Sequence, residues 1–203
     1  SLSRMSSVGD EFQPTAVADE FQPTARLKQI GRHGTVEISA NGLSIQTRDG
    51  FPTVGLTAVG DTPLRLSSGK VYYEVTIGDV VPKYPQYGWC DERFDGSKRV
   101  EGVGDDHFSW GIDGHRVRRW HKSASMWGEK WNPGDVLGCM ANLDNKSLSY
   151  SVNGKSMGVA FTSIDFRGCL YPALTSSRGQ MVPIERAVTC NFGEDPARPL
   201  RYL

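Results

Sequence analysis

Four histidines, His33, His107, His115 and His121, are the side chains best suited to acid–base or metal chemistry near neutral pH. None stands at the His-x-x-x-His spacing that puts two ligands on one helix face. Asp105-Asp106-His107 gathers three potential ligands, but an isolated loop cluster of this kind reads as solvated. No Gly-x-Ser-x-Gly elbow presents a nucleophile. Gly102-Val103-Gly104 has no helix after it, and so lacks the N-terminus that makes a phosphate cradle work. Cys90, Cys139, Cys169 and Cys190 lie more than 20 residues apart, each in or beside an apolar segment. No close pair starts a zinc site, and they read as buried thiols of a reducing compartment. The residues therefore imply no enzyme, cofactor or metal. Arg116, Arg118, Arg119 and Lys122, interleaved with Trp120, form a basic aromatic patch. Such a patch could hold RNA or a phosphopeptide, and the same pattern fits an exposed strand face.

The 203 residues suit one all-β domain of ordinary size, and 38% hydrophobic content provides for a core. Twenty-three basic residues balance twenty-three acidic ones, which argues against a general grip on nucleic acid or anionic membrane. No apolar run approaches the roughly 18–20 residues of a membrane helix, and no signal-peptide pattern opens the sequence.

The elements that position these residues are legible first in the stretch from Pro133 to Phe161. Leu137, Cys139, Ala141 and Leu143 alternate with Val136, Gly138, Met140 and Asn142, a strand apolar on nearly both sides. Leu148, Tyr150 and Val152 alternate with Ser147, Ser149 and Ser151, one buried face and one wet. Met157, Val159 and Phe161 are expected to continue the buried side of a third strand. Asn153-Gly154 suits a two-residue type I′ turn, because both residues tolerate positive φ.

Elsewhere, Val36 and Ile38 lead through Asn41-Gly42 to Leu43, Ile45 and Thr47, a first hairpin. Lys70 to Ile77 is a strand with Tyr72 and Tyr73 on opposite faces, so only one of them is expected in the core. Tyr87 to Cys90 reads as a short buried strand, and Asp91 to Asp106 as a surface excursion. Phe108, Trp110 and Ile112 alternate, making Trp110 a core anchor, and Arg116 to Trp120 returns from Asp113-Gly114. His121 to Asn132 reads as a loop holding Trp127 and Trp131, and Leu170–Leu174 and Val182–Phe192 supply the last strands. Many short strands with Gly, Pro and Asn turns describe an antiparallel sandwich or barrel. Residues 1–27 differ from the rest: Asp10-Glu11-Phe12-Gln13-Pro14-Thr15-Ala16 recurs unchanged nine residues later, from Asp19 to Ala25. They form a linker, or an extended arm whose Phe12 or Phe21 docks on this domain or on a neighbouring chain.

Lys70-Val71-Tyr72-Tyr73-Glu74-Val75, Tyr87-Gly88-Trp89, Phe108-Ser109-Trp110-Gly111-Ile112-Asp113-Gly114 and Gly134-Asp135-Val136-Leu137-Gly138-Cys139 together resemble a SPRY domain. Asn153-Gly154-Lys155, Gly158-Val159-Ala160-Phe161, Leu170-Tyr171-Pro172-Ala173 and Asn191-Phe192-Gly193 continue the likeness, which runs from about residue 34 to 193. Trp120-His121, Trp127-Gly128, Trp131 and Pro133-Gly134-Asp135 are most similar to the SPRY domains of ryanodine receptors. The resemblance implies an all-β fold of two antiparallel sheets packed as a bent β-sandwich over 28–195. The arm of 1–27 precedes it and a tail of 196–203 follows. It also implies a non-catalytic module that holds a protein or peptide partner, as a monomeric part of a larger cytoplasmic protein.

Several SPRY peptide receptors bind through an Arg and a Pro after an early strand, an aromatic on the long mid-chain loop, and the loop before the last strand. The matching positions here are Arg48 and Pro52, Phe94, and Ser177-Arg178-Gly179, with Phe51, Tyr84 and Tyr87 as apolar neighbours. Those receptors can carry an apolar-Trp pair where this chain has Ser177-Arg178. That puts their asparagine-rich ligands in question, and Arg178 favours an acidic group instead. Two other readings stand beside this one: a nucleic-acid or phosphopeptide module using Arg116–Lys122, and an intramolecular packing domain of a large scaffold. The acidic arm would meet the cations around Arg48, Phe51 and Arg178.

Overall fold

The computed structural model describes residues 26–57, 68–96, 101–194 and 198–202, together with the backbone of two short strands nearer the N-terminus. The strands are β1 (Ser3–Met5), β2 (Pro14–Thr15), β3 (Arg26–Gln29), β4 (Thr35–Ile38), β5 (Ser44–Asp49), β6 (Thr53–Thr57), β7 (Lys70–Thr76) and β8 (Lys83–Asp91). After them come β9 (Ser109–Asp113), β10 (Arg118–His121), β11 (Ser123–Met126), β12 (Val136–Asn142), β13 (Ser147–Val152), β14 (Lys155–Phe161), β15 (Leu170–Ser177) and β16 (Val188–Asn191). A single 3-10 turn, Ile184–Arg186, precedes the last strand, and no α-helix occurs among the described residues. The described residues also contain no helix long and apolar enough to cross a membrane.

Every pairing is antiparallel. One sheet runs β14-β13-β12-β7-β16-β5-β4, with β1 beside the first residues of β7 and β2 beside β1. The other runs β11-β10-β9-β8-β15-β6-β3. Their inner faces meet in one core. Tyr73, Leu137, Leu148 and Tyr150 come from the first sheet, and Tyr87, Trp89, Trp110, Ile112 and Leu174 from the second. Trp89 sits edge-on to Tyr73 at 5.1 Å, and the Tyr73 hydroxyl donates to the Gly88 carbonyl at 2.7 Å. All four cysteines are buried, and none is in a disulfide.

The meander forms as its sequence dictates. Asn153 and Gly154 take φ of 49° and 78°, and Val152 pairs with Lys155 across them. Asn153 also ties this tip to the start of β12: its Oδ1 accepts from Val136 N and its Nδ2 donates to Asp135 Oδ1, both at 2.9 Å.

Four expectations need correction. In β14, Val159 is 51% exposed and Ala160 is buried, because two register shifts against β13 insert extra residues and break the alternation. Tyr72 and Tyr73 are both buried. Tyr72 shares the outer face with Glu74, and the backbone N–H groups of Arg201 and Tyr202 donate to the Glu74 carboxylate at 2.8–3.0 Å, so the end of the chain covers that face. The Asp91–Asp106 segment is partly core: Phe94 and Val103 pack with Cys90, Cys169 and Tyr171 into a second apolar cluster. Finally, Ser123–Met126 is a strand rather than a loop.

Candidate functional site

A hollow of about 450 Å³ lies on the outer face of the seven-stranded sheet, lined by Phe51, Tyr84, Gln86, Asp105, Arg116 and Trp120. Alternation along β8 sets its floor. Tyr87 and Trp89 point into the core, and Tyr84 and Gln86 point out. A bulge then aims Tyr84. Thr175 pairs with Gln86 but Ser177 pairs with Lys83, so two residues of β8 oppose one of β15. Tyr84 takes φ of 48° there and stays 47% exposed. A bulky residue in left-handed backbone is strained by about 1–3 kcal/mol, and such bulges gather beside functional sites.

The loop before β9 forms one wall. Asp105 accepts from Gln86 Nε2 at 2.7 Å and from Gly102 N at 2.8 Å, while Val103 N donates to Thr175 Oγ1 at 3.0 Å. Gly102 permits this close approach, since a Cβ there would come within 2.5 Å of Gln86 Oε1 and 2.6 Å of Phe51 Cε1. Burial raises the Asp105 carboxyl above the usual range, against the opposing pull of its two hydrogen bonds and Arg116. The opposite wall is Arg116, ion-paired with the buried Asp113 and stacked 4.2 Å from the Trp120 ring and 5.0 Å from Tyr84. Around this aromatic hollow Gln86 Oε1, Arg116 Nη2 and Trp120 Nε1 are buried without hydrogen-bond partners, one acceptor and two donors.

Of the residues matched to a binding surface in the sequence, Phe51 and Tyr84 meet in this hollow. Ser177 and Gly179 line a separate small pocket with Gln46, Pro82 and Val182, Ser177 Oγ donates to the Lys83 carbonyl at 3.2 Å, and Arg178 is exposed. Arg48 is ion-paired with Glu37 on the neighbouring strand. Pro52 is buried. Tyr87 is 0% exposed and stacks on Trp131 at 5.4 Å, and Phe94 is 7% exposed in the second cluster. Neither Tyr87 nor Phe94 is available at the surface: each belongs to a buried apolar cluster and not to a binding surface.

Sequence reasoning placed Arg116 and Trp120 in a separate basic patch. Strand alternation divides that patch. Arg116 and Trp120 face the hollow, whereas Arg119, His121 and Lys122 line a different cleft. Alternation along β10 sets Arg119 and His121 opposite Trp120, whereas Arg116 and Lys122 lie beyond the ends of the strand and take their sides from the turns there. Phe12 and Phe21 lie outside the described residues.

The chain is 35% identical over 137 residues to the E3 ubiquitin-protein ligase RKP of Arabidopsis thaliana, covering 66% of this chain and 10% of that protein. It is 32% identical over 133 residues to the probable ATP-dependent RNA helicase ddx1 of Dictyostelium discoideum, covering 66% of this chain and 16% of the helicase. Identity to ATP-dependent RNA helicase DDX1 of Xenopus laevis is 28% over 136 residues, covering 67% and 17% respectively. The chain thus spans well under a quarter of the length of each of these relatives. Residues 70–188, from β7 to the first residue of β16 and more than half of the chain, match the SPRY domain model, and the chain belongs to the SPRY domain family.

Proposed function

We propose that this chain is a non-catalytic recognition module that holds a peptide of a partner protein in the hollow between Phe51, Tyr84, Arg116 and Trp120. The observation that carries the reading is an aromatic hollow on a rigid sheet floor, walled by Asp105 on one side and by the stacked Arg116 on the other. An apolar side chain of the peptide fills the space against Phe51 and Tyr84, and its polar backbone lies between the Asp105 and Arg116 walls. Lys83, exposed next to Tyr84 in the chain, favours an acidic flank on that peptide. The module acts as a monomer within a larger intracellular protein. Four buried cysteines outside any disulfide support a reducing compartment, and the likeness of the Trp120–Asp135 segment to ryanodine-receptor repeats supports work inside a large chain. The duplicated Asp-Glu-Phe segment of residues 10–25 has the chemistry of such a peptide and is a candidate occupant in cis.

A photo-crosslinking residue placed at Tyr84 in the full-length protein tests this, with Val159 as an exposed control on the other sheet. The expected product is a crosslink to one defined peptide of a partner, or to residues 10–25, from Tyr84 alone. Equal, diffuse labelling from both positions would overturn the reading.

A further inference from the structure

A second cleft, of about 640 Å³, opens where the two sheets part, between β10–β11 and the end of β14 with the loop after it. Arg119 spans the gap: its Nη1 donates to the Ala160 carbonyl and its Nε to Ser125 Oγ at 3.0 Å. The floor is aromatic. The His121 ring lies flat on Trp110, 5.0 Å between centroids and 7° between planes, with Phe161 edge-on to it. Burial lowers the His121 pKa, and its Nδ1 is 2.9 Å from the Ser109 carbonyl, so the ring is a neutral stacking surface.

Three cations line the cleft, and only one is neutralised. Arg93 pairs with Asp91, whereas neither Arg119 nor Lys122 has a carboxylate partner among the described residues. Of the nearby acids, Asp106 is occupied by the Phe108 N–H and the Ser109 hydroxyl, and Asp165 stands exposed at the rim. Ser123, Ser125, Thr162 and Ser163 add four hydroxyls to the same walls.

We propose that this cleft receives the phosphate of a phosphoserine or phosphothreonine peptide that adds as a further strand along β11. A phosphomonoester carries nearly two negative charges and three strong acceptor oxygens, which matches two unneutralised cations amid hydroxyl donors better than a carboxylate does. β11 ends its sheet, and its outer edge is unpaired among the described residues. Ser123 and Ser125 alternate toward the cleft, so alternate side chains of an added strand reach the same side. A nucleic acid is the poorer fit. Its grip needs a track of several phosphate contacts, and here the free cations are two, within one cleft of a chain with no net charge. Trp120 faces the other hollow, so this site stands apart from the reading above.

The test is fluorescence anisotropy on the intact chain with an oriented heptapeptide library carrying central phosphoserine. The same library unphosphorylated, inorganic phosphate and an oligouridylate serve as competitors. The phosphorylated library should bind at least about tenfold tighter than the unphosphorylated one or inorganic phosphate, as expected for one or two charge-assisted hydrogen bonds. Lys122 takes φ of 62°, which Asn and Gly accept, so Lys122→Asn and Lys122→Gly remove the charge without new backbone strain. Both should lose most of the preference, while Arg118→Gln and Tyr84→Ala keep it. Equal binding of the two libraries, unchanged preference in both Lys122 variants, inorganic phosphate as tight as peptide, or tighter binding of oligouridylate would each overturn the proposal.

Discussion

Tyr84 and Tyr87 stand three residues apart on one strand and have opposite fates. Tyr87 is sealed in the core against Trp131, whereas Tyr84 sits on a strained bulge, nearly half exposed, beneath a stacked arginine. The inner face of the seven-stranded sheet is a closed apolar interior. The outer face carries an open aromatic hollow lined by Phe51, Tyr84, Arg116 and Trp120. On the proposed reading, one sheet separates stability from recognition: what faces in holds the fold, and what faces out holds the partner.

The comparison breaks most visibly on the inner face. Trp110→Ala should lower stability by roughly 3–5 kcal/mol, the cost of emptying a large buried site, and Tyr87→Ala should fall in the same range. Chemical denaturation measures both, and an unchanged midpoint for either would erase the distinction. Asn153→Ala is expected to cost about 1–2 kcal/mol, because Ala resists left-handed backbone and the bonds to Val136 and Asp135 vanish. Tyr84→Ala should shift stability by less than about 1 kcal/mol, lost contact being offset by relief of crowding on the bulge, while partner binding is lost.

The smallest effects are in pH. His121 has a lowered pKa, caused first by burial. It contributes stability that is full above its unfolded value of ~6.5 and is lost as pH falls through the lower folded value. Asp105 has a raised pKa, again through burial first. Its contribution is full below ~3.9 and is lost as pH rises through the higher folded value. Side-chain NMR titrations should place the two midpoints on those sides of the ordinary values, and the reverse order would contradict the burial assigned to each.

The sequence reads best where a local rule decides. Ser147 to Val152 alternates because one face is wet, and Asn153-Gly154 turns because both residues accept positive φ. The same rule misleads along β14, where bulges that no residue type announces push Val159 out and Ala160 in. Tyr72, Tyr87 and Phe94 depend on cover from afar. The tail residues 201–202 close over Glu74, and Val103 shares a cluster with Phe94 and Cys90. The hollow was half legible: Phe51 and Tyr84 stood out, but Arg116 and Trp120 join them only through the register of β8 on β9 and β10.

The central claim is that Tyr84 and Trp120 serve binding and not folding, and peptide display on the intact chain tests it most directly. Peptides selected from a random library should carry an apolar residue with acidic neighbours. Their affinity, measured by calorimetry, should fall at least about tenfold on Tyr84→Ala and on Trp120→Ala, and be unchanged on Val159→Ala, with all three variants still folded. Selected peptides that bind the Tyr84 and Trp120 variants as tightly as the parent chain would contradict the account.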